Sequence, residues 1–345
     1  MRTGQFRGRD HTKQVAPKHC RDAQFVWIDK VPTELIAGEI KKFVEAAGVE
    51  SVRLPAYAFG QWGSGSDAEI PLARDGEKIV MHLHGGAYVM GTAHPEDITS
   101  YIPRGFVQFG QNMFKRCISI DYRLSASHPY SATAPFPASL LDGLAGYLYL
   151  TRKLGFKPQN VIISGDSAGG NLGQALVRYL RDNPQLGIGM PGGLILFSPW
   201  SDPGGSHEGL VGGEAAQNAN YDYVQLKANS NPKLSMQLYA VRSLLGKISV
   251  QDAQKNPYIS PASLKMDPKV VCDMFVGFPP SYVVGGGAET LIDQIRTLKH
   301  RMEANIPGFV YNEVADGIHD FACLPFWEPE RSNTFNSIVD WADKL

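Results

Sequence analysis

The ten residues from Val161 to Gly170, VIISGDSAGG, decide how this chain folds. The β-branched start of this stretch predicts a buried parallel strand, and the apolar spacing after it predicts a helix with one apolar face. Ser167 therefore stands at a tight turn from strand to helix, inside the pattern Gly-x-Ser-x-Gly. A serine at such a corner is held in strained backbone geometry with its hydroxyl exposed, which is typical of a nucleophile.

The flanking residues carry this interpretation, because glycine strings alone are weak signals in a chain with 36 glycines. The stretch Gly63-Ser64-Gly65-Ser66 is another such string, and nothing around it indicates a strand followed by a helix. Around Ser167 both flanks agree, and the neighbouring residues are small enough for a tight turn. The alternative, a glycine-rich turn with an incidental serine, is therefore disfavoured.

The charge balance excludes several classes of function. Lysine and arginine number 33 against 34 aspartates and glutamates, which leaves no electrostatic case for a nucleic-acid partner or an anionic membrane. No apolar run approaches the roughly 20 residues that a membrane span needs. Residues 1–22 are polar and basic without an apolar segment, so no signal peptide is expected, although a trimmed chain would begin in the same way.

The four cysteines indicate the compartment. Cys20, Cys117, Cys272 and Cys323 are far apart and form no Cys-x-x-Cys pair, so free thiols in a reducing, cytoplasmic environment are expected. Cys117 begins a predicted strand and is interpreted as a core residue. At 345 residues the chain is one large domain or two modest ones, and we expect a monomer or a homodimer.

Strands and helices alternate along most of the chain, which predicts a mostly parallel sheet with helices on both faces. A first strand is predicted over 52–59, one or two helices before it over 23–47, and an amphipathic helix from Leu234 to Leu245. The stretch 201–256 around that helix is long and polar, which indicates a lid. Asp121 and Arg123, at the end of one strand, are interpreted as a structural ion pair. The further strands are predicted over 78–84, 117–123, 161–165, 193–198, 279–285 and 309–313.

A second informative stretch is His84-Gly85-Gly86-Ala87, directly after a predicted strand. Two glycines let the backbone turn until its N–H groups face one point, where they could hold an oxyanion. The alternative is an ordinary Gly-Gly turn. His82 and His84 share a face of the strand, but no third metal ligand accompanies them. We expect no metal and no cofactor, and expect His84 to steady the loop by hydrogen bonding.

A serine nucleophile needs a base, and the base needs a carboxylate to orient it. His319 follows the last predicted strand on a glycine-containing loop and is the best base among nine histidines. Glu289 and Asp293, after the preceding strand, both qualify as the acid by position. Either could instead cap the helix that starts near Leu291. The order serine, acid, histidine is the order used when a nucleophile elbow stands on such a sheet.

Taken together, these motifs resemble the hormone-sensitive lipase group of α/β-hydrolase esterases. The matching stretches are 84–87, Asp121-Tyr122-Arg123-Leu124, 165–170 and the His319 loop. In that group the acid stands in Gly-x-x-Asp-Pro-Leu-x-Asp. The corresponding stretch here is 286–293, GGAETLID, which aligns Glu289 with the catalytic acid and Asp293 with the second aspartate. The glutamate and the missing proline are departures, and Glu289 is favoured over Asp293.

The resemblance implies an α/β-hydrolase fold and a carboxylic-ester hydrolase of short to medium acyl chains, acetyl included. It implies an oxyanion hole from the N–H groups of Gly85, Gly86 and Ala168. It also implies a helical cap from residues 1–50 and 201–255 over a core of 51–200 and 256–345, with a small-molecule ester as partner. Lactone hydrolysis, acyl transfer and elimination remain open, because all can use the same site. A role in ligand binding without catalysis is disfavoured. The gibberellin receptors that resemble this family lack the catalytic histidine, whereas this chain has both Ser167 and His319.

Overall fold

The computed structural model describes residues 20, 22–63, 70–110, 112–210, 212–218, 221–224 and 235–345. The predictions made for residues 1–19 and for Leu234 lie outside the described residues. The centre of the described part is an eight-stranded sheet with the strand order β1-β2-β4-β3-β5-β6-β7-β8. Its strands are β1 Ala23–Ile28, β2 Leu54–Gly60, β3 Ile79–Leu83, β4 Arg116–Ile120, β5 Val161–Asp166, β6 Gly193–Phe197, β7 Ser281–Gly286 and β8 Val310–Val314.

Strands β3 to β8 run parallel to one another, while β1 and β2 pair antiparallel at one edge. The predicted mostly parallel sheet is therefore confirmed. The helices are α1 Gly38–Ala47, α2 Tyr101–Gly110, α3 Ala138–Leu148, α4 Ala168–Asp182, α5 Ala215–Asn218, α6 Met236–Leu245, α7 Val250–Ala253, α8 Pro268–Cys272, α9 Ile292–Glu303 and α10 Glu330–Ala342.

The two faces of the sheet carry separate hydrophobic cores, because successive side chains of a strand point to opposite faces. In β5, Ile163 joins the core beneath α3, α4 and α9, and Ile162 joins the core beneath α2 and α10. Apolar residues on both faces explain why the central strands are continuous apolar runs in the sequence. Both cores fix the sheet between helices, so its carboxyl edge is a rigid platform.

The N-terminal helices predicted over 23–47 are only partly correct. Residues Ala23–Ile28 form β1, which pairs antiparallel with β2 from Ala23 opposite Phe59 to Ile28 opposite Leu54. Only α1 is helical, after a short 3-10 turn at Thr33–Leu35. The helical spacing was misleading because β1 is rich in aromatic and β-branched residues, which suit a strand. The strand predicted over 52–59 as the first of the sheet is therefore β2.

The predicted ion pair between Asp121 and Arg123 is wrong. The Arg123 guanidinium donates to both carboxylate oxygens of Asp142 in α3, with Nη2 2.8 Å from Oδ1 and Nε 2.9 Å from Oδ2. Asp121 instead accepts from the Thr92 hydroxyl at 2.7 Å and from the Ala93 N–H at 2.9 Å. Both residues lie after β4 ends at Ile120, where the rule that side chains two residues apart share a face no longer applies.

All four cysteines are free, and Cys117 is fully buried in β4, which confirms its role in packing. Among the described residues, none of the helices combines the length and the apolar character needed to cross a lipid bilayer.

Two helical glycines provide opposite tests of this packing. A methyl group on Gly105 in α2 would lie 2.3 Å from the Phe335 ring of α10, so Gly105→Ala should destabilise the fold by about 1–3 kcal/mol. A methyl group on Gly143 in α3 would make ordinary contacts, at 3.6 Å from Leu176. Gly143→Ala should therefore stabilise the fold by about 0.5–1 kcal/mol through helix propensity. Urea unfolding of both variants measures the difference; equal effects would contradict this packing.

Candidate active site

Ser167 occupies the turn between β5 and α4 with a backbone conformation of φ 51° and ψ −114°. Such a conformation is costly for a residue with a side chain, so surrounding contacts must hold it. The Ser167 N–H donates to the Phe197 carbonyl at 2.9 Å, and the Ser167 carbonyl accepts from the Trp200 N–H at 2.9 Å. Both partners belong to β6 or to the residues after it. The neighbouring strand therefore holds the serine in its strained geometry.

The small residue Gly169 lets this turn approach the sheet closely. A methyl group there would lie 1.9 Å from the Leu83 carbonyl oxygen at the end of β3. The first turn of α4 therefore rests against the backbone of β3. This contact brings Ser167 beside the loop that follows β3.

His319 and Glu289 complete a hydrogen-bonded chain with Ser167. The His319 Nε2 lies 2.9 Å from the Ser167 Oγ, and its Nδ1 lies 2.8 Å from the Glu289 Oε2. Since Glu289 is a carboxylate acceptor, the proton of the neutral imidazole lies on Nδ1, and in that form Nε2 can accept from the serine hydroxyl. The second oxygen of Glu289 accepts from the Gly286 N–H at 2.7 Å. All three side chains are buried.

The electrostatics of the site favour the protonated imidazole. Burial lowers the pKa of His319, but the carboxylates of Asp320 and Glu289 more than offset this and raise the pKa well above its ordinary value. A base with a raised pKa holds a proton taken from the serine more firmly. The arrangement can therefore stabilise the imidazolium that forms when Ser167 is deprotonated.

The loop after β3 presents N–H groups beside the serine. Gly86 has φ 112°, a conformation open to glycine, and among the described residues the N–H groups of Gly85 and Gly86 have no hydrogen-bond partner. The N–H of Ala168, at the first position of α4, is equally free there. A methyl group on Gly85 would lie 3.2 Å from the Ser167 Cβ. The predicted donors are thus adjacent to the serine.

Side chains around the donor loop hold its shape. The His84 Nδ1 lies 2.7 Å from the Gly85 carbonyl, which confirms the predicted role of His84 in steadying the loop. The His84 ring stacks on Tyr122 with centroids 4.1 Å apart, and the Tyr122 hydroxyl donates to the His84 carbonyl at 2.6 Å. Beyond the loop, the Tyr88 hydroxyl donates to Asn171 of α4 at 2.8 Å. These contacts fix where the Gly85 and Gly86 N–H groups point.

Asp293 lies away from the imidazole and has another role. Its two oxygens accept from the N–H groups of Glu214 and Ala215 at 3.1 and 3.0 Å. Asp293 therefore caps the start of α5, rather than the helix α9 to which it belongs. Between the two predicted acids, the structure brings only Glu289 to His319.

Residues of the insertion, which the sequence did not single out, hold both loops of the site. The buried Asp222 accepts from the Thr290 N–H at 2.8 Å and from the His319 N–H at 3.3 Å. Asn218 donates to the carbonyls of Gly287 and Glu289, both at 3.0 Å. Neither Asp222 nor Asn218 belongs to a sequence motif or lies at a characteristic distance along the chain from one. Their only sequence signal is that they lie in an unusually long polar insertion.

His82, in β3, contacts a buried carboxylate. The His82 Nε2 lies 3.0 Å from the Asp166 Oδ1, and both side chains are fully buried. Within the part of the chain that the structure describes, no three histidine, cysteine or carboxylate side chains group in a way that could hold a metal ion.

The segments that form this site lie within a region that matches a known protein family. The family model described as alpha/beta hydrolase fold matches residues 80–323, a span that includes the donor loop, Ser167, Glu289 and His319. This chain belongs to that family. The resemblance predicted from the sequence motifs is thereby confirmed.

Individual relatives of this α/β hydrolase carry names of ester-cleaving enzymes. It is 27% identical to an esterase of Acinetobacter venetianus over 282 residues, 80% of this chain and 78% of that protein. It is 26% identical to an acetyl-hydrolase of Streptomyces hygroscopicus over 229 residues, 66% of this chain and 62% of that protein. A crystal structure of an esterase from the bacterial hormone-sensitive lipase family shares its fold, with a TM-score of 0.61 and 24% identity over 96% of this chain and 86% of that one.

Replacing Asp222 tests whether the insertion holds the site together. Asp222→Ala removes the acceptor of the Thr290 and His319 N–H groups, and a displacement of about 1 Å is enough to cost about 100-fold in rate. We expect that loss in the rate at which a fluorophosphonate labels Ser167. Tyr221→Ala is the matched control, because Tyr221 is 73% exposed and lies one residue away. Equal rates for Asp222→Ala and the unmodified protein would refute the role of Asp222.

Proposed function

We propose that this α/β hydrolase is a serine carboxylic-ester hydrolase acting on short- to medium-chain acyl esters through an acyl-enzyme. The observation that carries the proposal is the hydrogen-bonded chain from Ser167 through His319 to Glu289, beside free main-chain N–H groups. Such a chain activates a hydroxyl that is otherwise a poor nucleophile at neutral pH. The esterase and acetyl-hydrolase names of the relatives support the same chemistry.

In the acylation half of the proposed mechanism, the Ser167 Oγ attacks the ester carbonyl carbon while the His319 Nε2 takes the hydroxyl proton. Glu289 holds the Nδ1 proton and stabilises the imidazolium. The carbonyl oxygen becomes an oxyanion, which the N–H groups of Gly85, Gly86 and Ala168 receive. Free donors beside a buried nucleophile are worth about 3–4 kcal/mol each in such a step. His319 then delivers the proton to the leaving alcohol.

The deacylation half repeats these roles with water as the nucleophile. His319 takes a proton from the water as it attacks the acyl carbon, and returns it to the Ser167 Oγ as the acid product leaves. The same three N–H groups receive the second oxyanion. No further group is required of the chain, because the imidazole cycles between base and acid.

The segments proposed as a cap would set the choice of acyl and alcohol group. We propose residues 1–50 and 201–255 for this cap, over a core of 51–200 and 256–345, with β1 contributed to the sheet by the first segment. The contacts of Asn218 and Asp222 with the acid and histidine loops support a cap that reaches the site. A short-chain preference accords with the polar composition of 201–256 and with the acetyl-hydrolase relative.

The cysteines and the charge balance support a proposal for the setting of the enzyme. Four free cysteines accord with a reducing compartment, and we propose the cytoplasm. The balanced charge accords with a small neutral substrate rather than a nucleic acid, and we propose a monomer or a homodimer.

Removing the nucleophile tests the proposal directly. The unmodified protein should hydrolyse p-nitrophenyl acetate faster than p-nitrophenyl palmitate and should be labelled by a fluorophosphonate. Ser167→Ala should lose the labelling and at least about 1,000-fold of the hydrolysis rate, because only oxyanion stabilisation and binding remain. Mass spectrometry of the products distinguishes hydrolysis from acyl transfer or elimination. Undiminished hydrolysis by Ser167→Ala would end the proposal.

The two candidate acids can be separated by isosteric variants. Glu289→Gln keeps the shape of the side chain but removes the charge that holds the Nδ1 proton, so kcat should fall by about 10,000-fold. Asp293→Asn alters only the cap of α5 and should keep kcat within about tenfold. Steady-state kinetics on p-nitrophenyl acetate checks both. The reverse pattern would make Asp293 the acid.

A further inference from the structure

Asp320 is a buried carboxylate that the proposed mechanism does not use. It follows His319 directly and is only 6% exposed. Its backbone has φ 49°, and its N–H donates to the Ser198 Oγ at 3.0 Å. The left-handed conformation is one that Asp and Asn tolerate better than other residues with side chains. The local backbone therefore fixes where this side chain lies.

The Asp320 carboxylate contacts the imidazole on the side opposite to Glu289. Its Oδ2 lies 3.1 Å from the His319 Nε2, the same nitrogen that lies 2.9 Å from the Ser167 Oγ. Its other oxygen, Oδ1, is buried and has no hydrogen-bond partner in the described part of the chain. The imidazole is thus held between two carboxylates, one at each nitrogen.

Burying a carboxylate is costly unless an opposite charge or a hydrogen-bond donor compensates it. The only cation that the described residues place against Asp320 is the protonated form of His319. A neutral imidazole that donates from Nδ1 to Glu289 turns its Nε2 lone pair towards the Asp320 oxygen, which is repulsive. A protonated Nε2 is attracted to this carboxylate instead. The contact therefore favours the imidazolium.

We propose that Asp320 is a positioning residue that holds the imidazolium of His319 at Nε2, so that the pH at which Ser167 gains a free base is raised. This inference rests on the proposed function. Asp320 acts at two stages. In the resting enzyme it keeps His319 protonated up to a higher pH, and during the attack by Ser167 it stabilises the imidazolium that forms. The enzyme is then adapted to neutral and alkaline conditions rather than to acidic ones.

The other titratable groups near His319 are acidic as well. Glu289 contacts Nδ1 from the loop after β7, Asp222 accepts from the His319 N–H, and the Tyr223 ring lies 5.9 Å from the imidazole. Burial raises the pKa of Asp320, and the negative charge of Asp166 at the end of β5 adds to this effect. Every ionised carboxylate in this set favours the imidazolium.

The pH profile of kcat/KM tests the proposal. Asp320→Asn and Asp320→Gly remove the charge, and both residues accept φ 49°. In each, the acidic limb should move to lower pH by about one unit. The alkaline plateau should fall on the order of threefold, because a weaker base accelerates proton transfer less. The variant profiles should therefore cross that of the unmodified enzyme, with more activity at pH 5.5 and less at pH 9.

A variant with a damaged fold loses activity at every pH, so crossing profiles cannot come from a purely structural role. Asp316→Asn is the matched control, because it removes an exposed carboxylate from the same loop and should leave the acidic limb in place. If the acidic limb lies at the same pH in the unmodified enzyme, in both Asp320 variants and in Asp316→Asn, the proposed role of Asp320 is wrong.

Labelling of Ser167 by a fluorophosphonate between pH 5 and 9 reports the same titration without an ester substrate. If the unmodified protein is labelled in a pH-dependent way and the Asp320 variants follow the same curve, the inference about Asp320 fails and the proposed function stands. If the unmodified protein is not labelled at all, the proposed function itself fails. The two failures are therefore distinguishable.

Discussion

The hydrogen bond between the Ser167 hydroxyl and the His319 imidazole joins residues 152 positions apart in the chain. It can form because parallel strands end at the same edge of a sheet. The strand order brings β3 beside β5, which puts the donor loop next to the serine, and brings β7 beside β8, which puts Glu289 next to His319. The strand between these pairs, β6, holds the backbone of Ser167 through Phe197. Each element of the site therefore depends on one strand order.

The same edge concentrates buried negative charge around one imidazole. Glu289, Asp320 and Asp222 all approach His319, and Asp166 lies behind Ser167. Isolated carboxylates in such a setting would be expensive, and hydrogen-bond donors and the imidazolium offset that cost. Because the described residues around His319 include more carboxylates than cations, this histidine has a high proton affinity. A strongly basic histidine suits an enzyme that must deprotonate an alcohol-like hydroxyl.

The insertion after β6 is hydrogen-bonded to the loops that carry Glu289 and His319. Asn218 and Asp222 bond to the backbone of the acid loop, and Asp222 also bonds to the histidine loop. Asp293 anchors the start of α5 from the opposite direction. The segment that would contact substrate is therefore connected to the residues that would do chemistry. Any shift of the insertion on substrate binding would be transmitted to Glu289 and His319 through these bonds.

Patterns of local origin were readable from the sequence. The elbow around Ser167, the glycine loop at Gly85 and the β7 and β8 loops that carry Glu289 and His319 each depend on a few adjacent residues. Small residues permit close turns, and alternating strands and helices dictate a parallel sheet. The family resemblance added the alignment that favours Glu289 as the acid. The strand β1 was the exception, because its aromatic run also fitted a helical spacing.

Contacts between distant segments were decided only by the tertiary structure. Position along the chain left Glu289 and Asp293 both open and the family resemblance favoured Glu289, whereas the structure shows which side chain contacts His319. Asp142 as the partner of Arg123, Asp222 as a support and the buried Asp320 carboxylate were likewise invisible. Charged side chains follow no periodic pattern in the sequence. The partner of each one is determined by where the folded backbone places it. The sequence by itself determined the elements and their chemistry, whereas folding determined which charges meet, because that depends on three-dimensional distance.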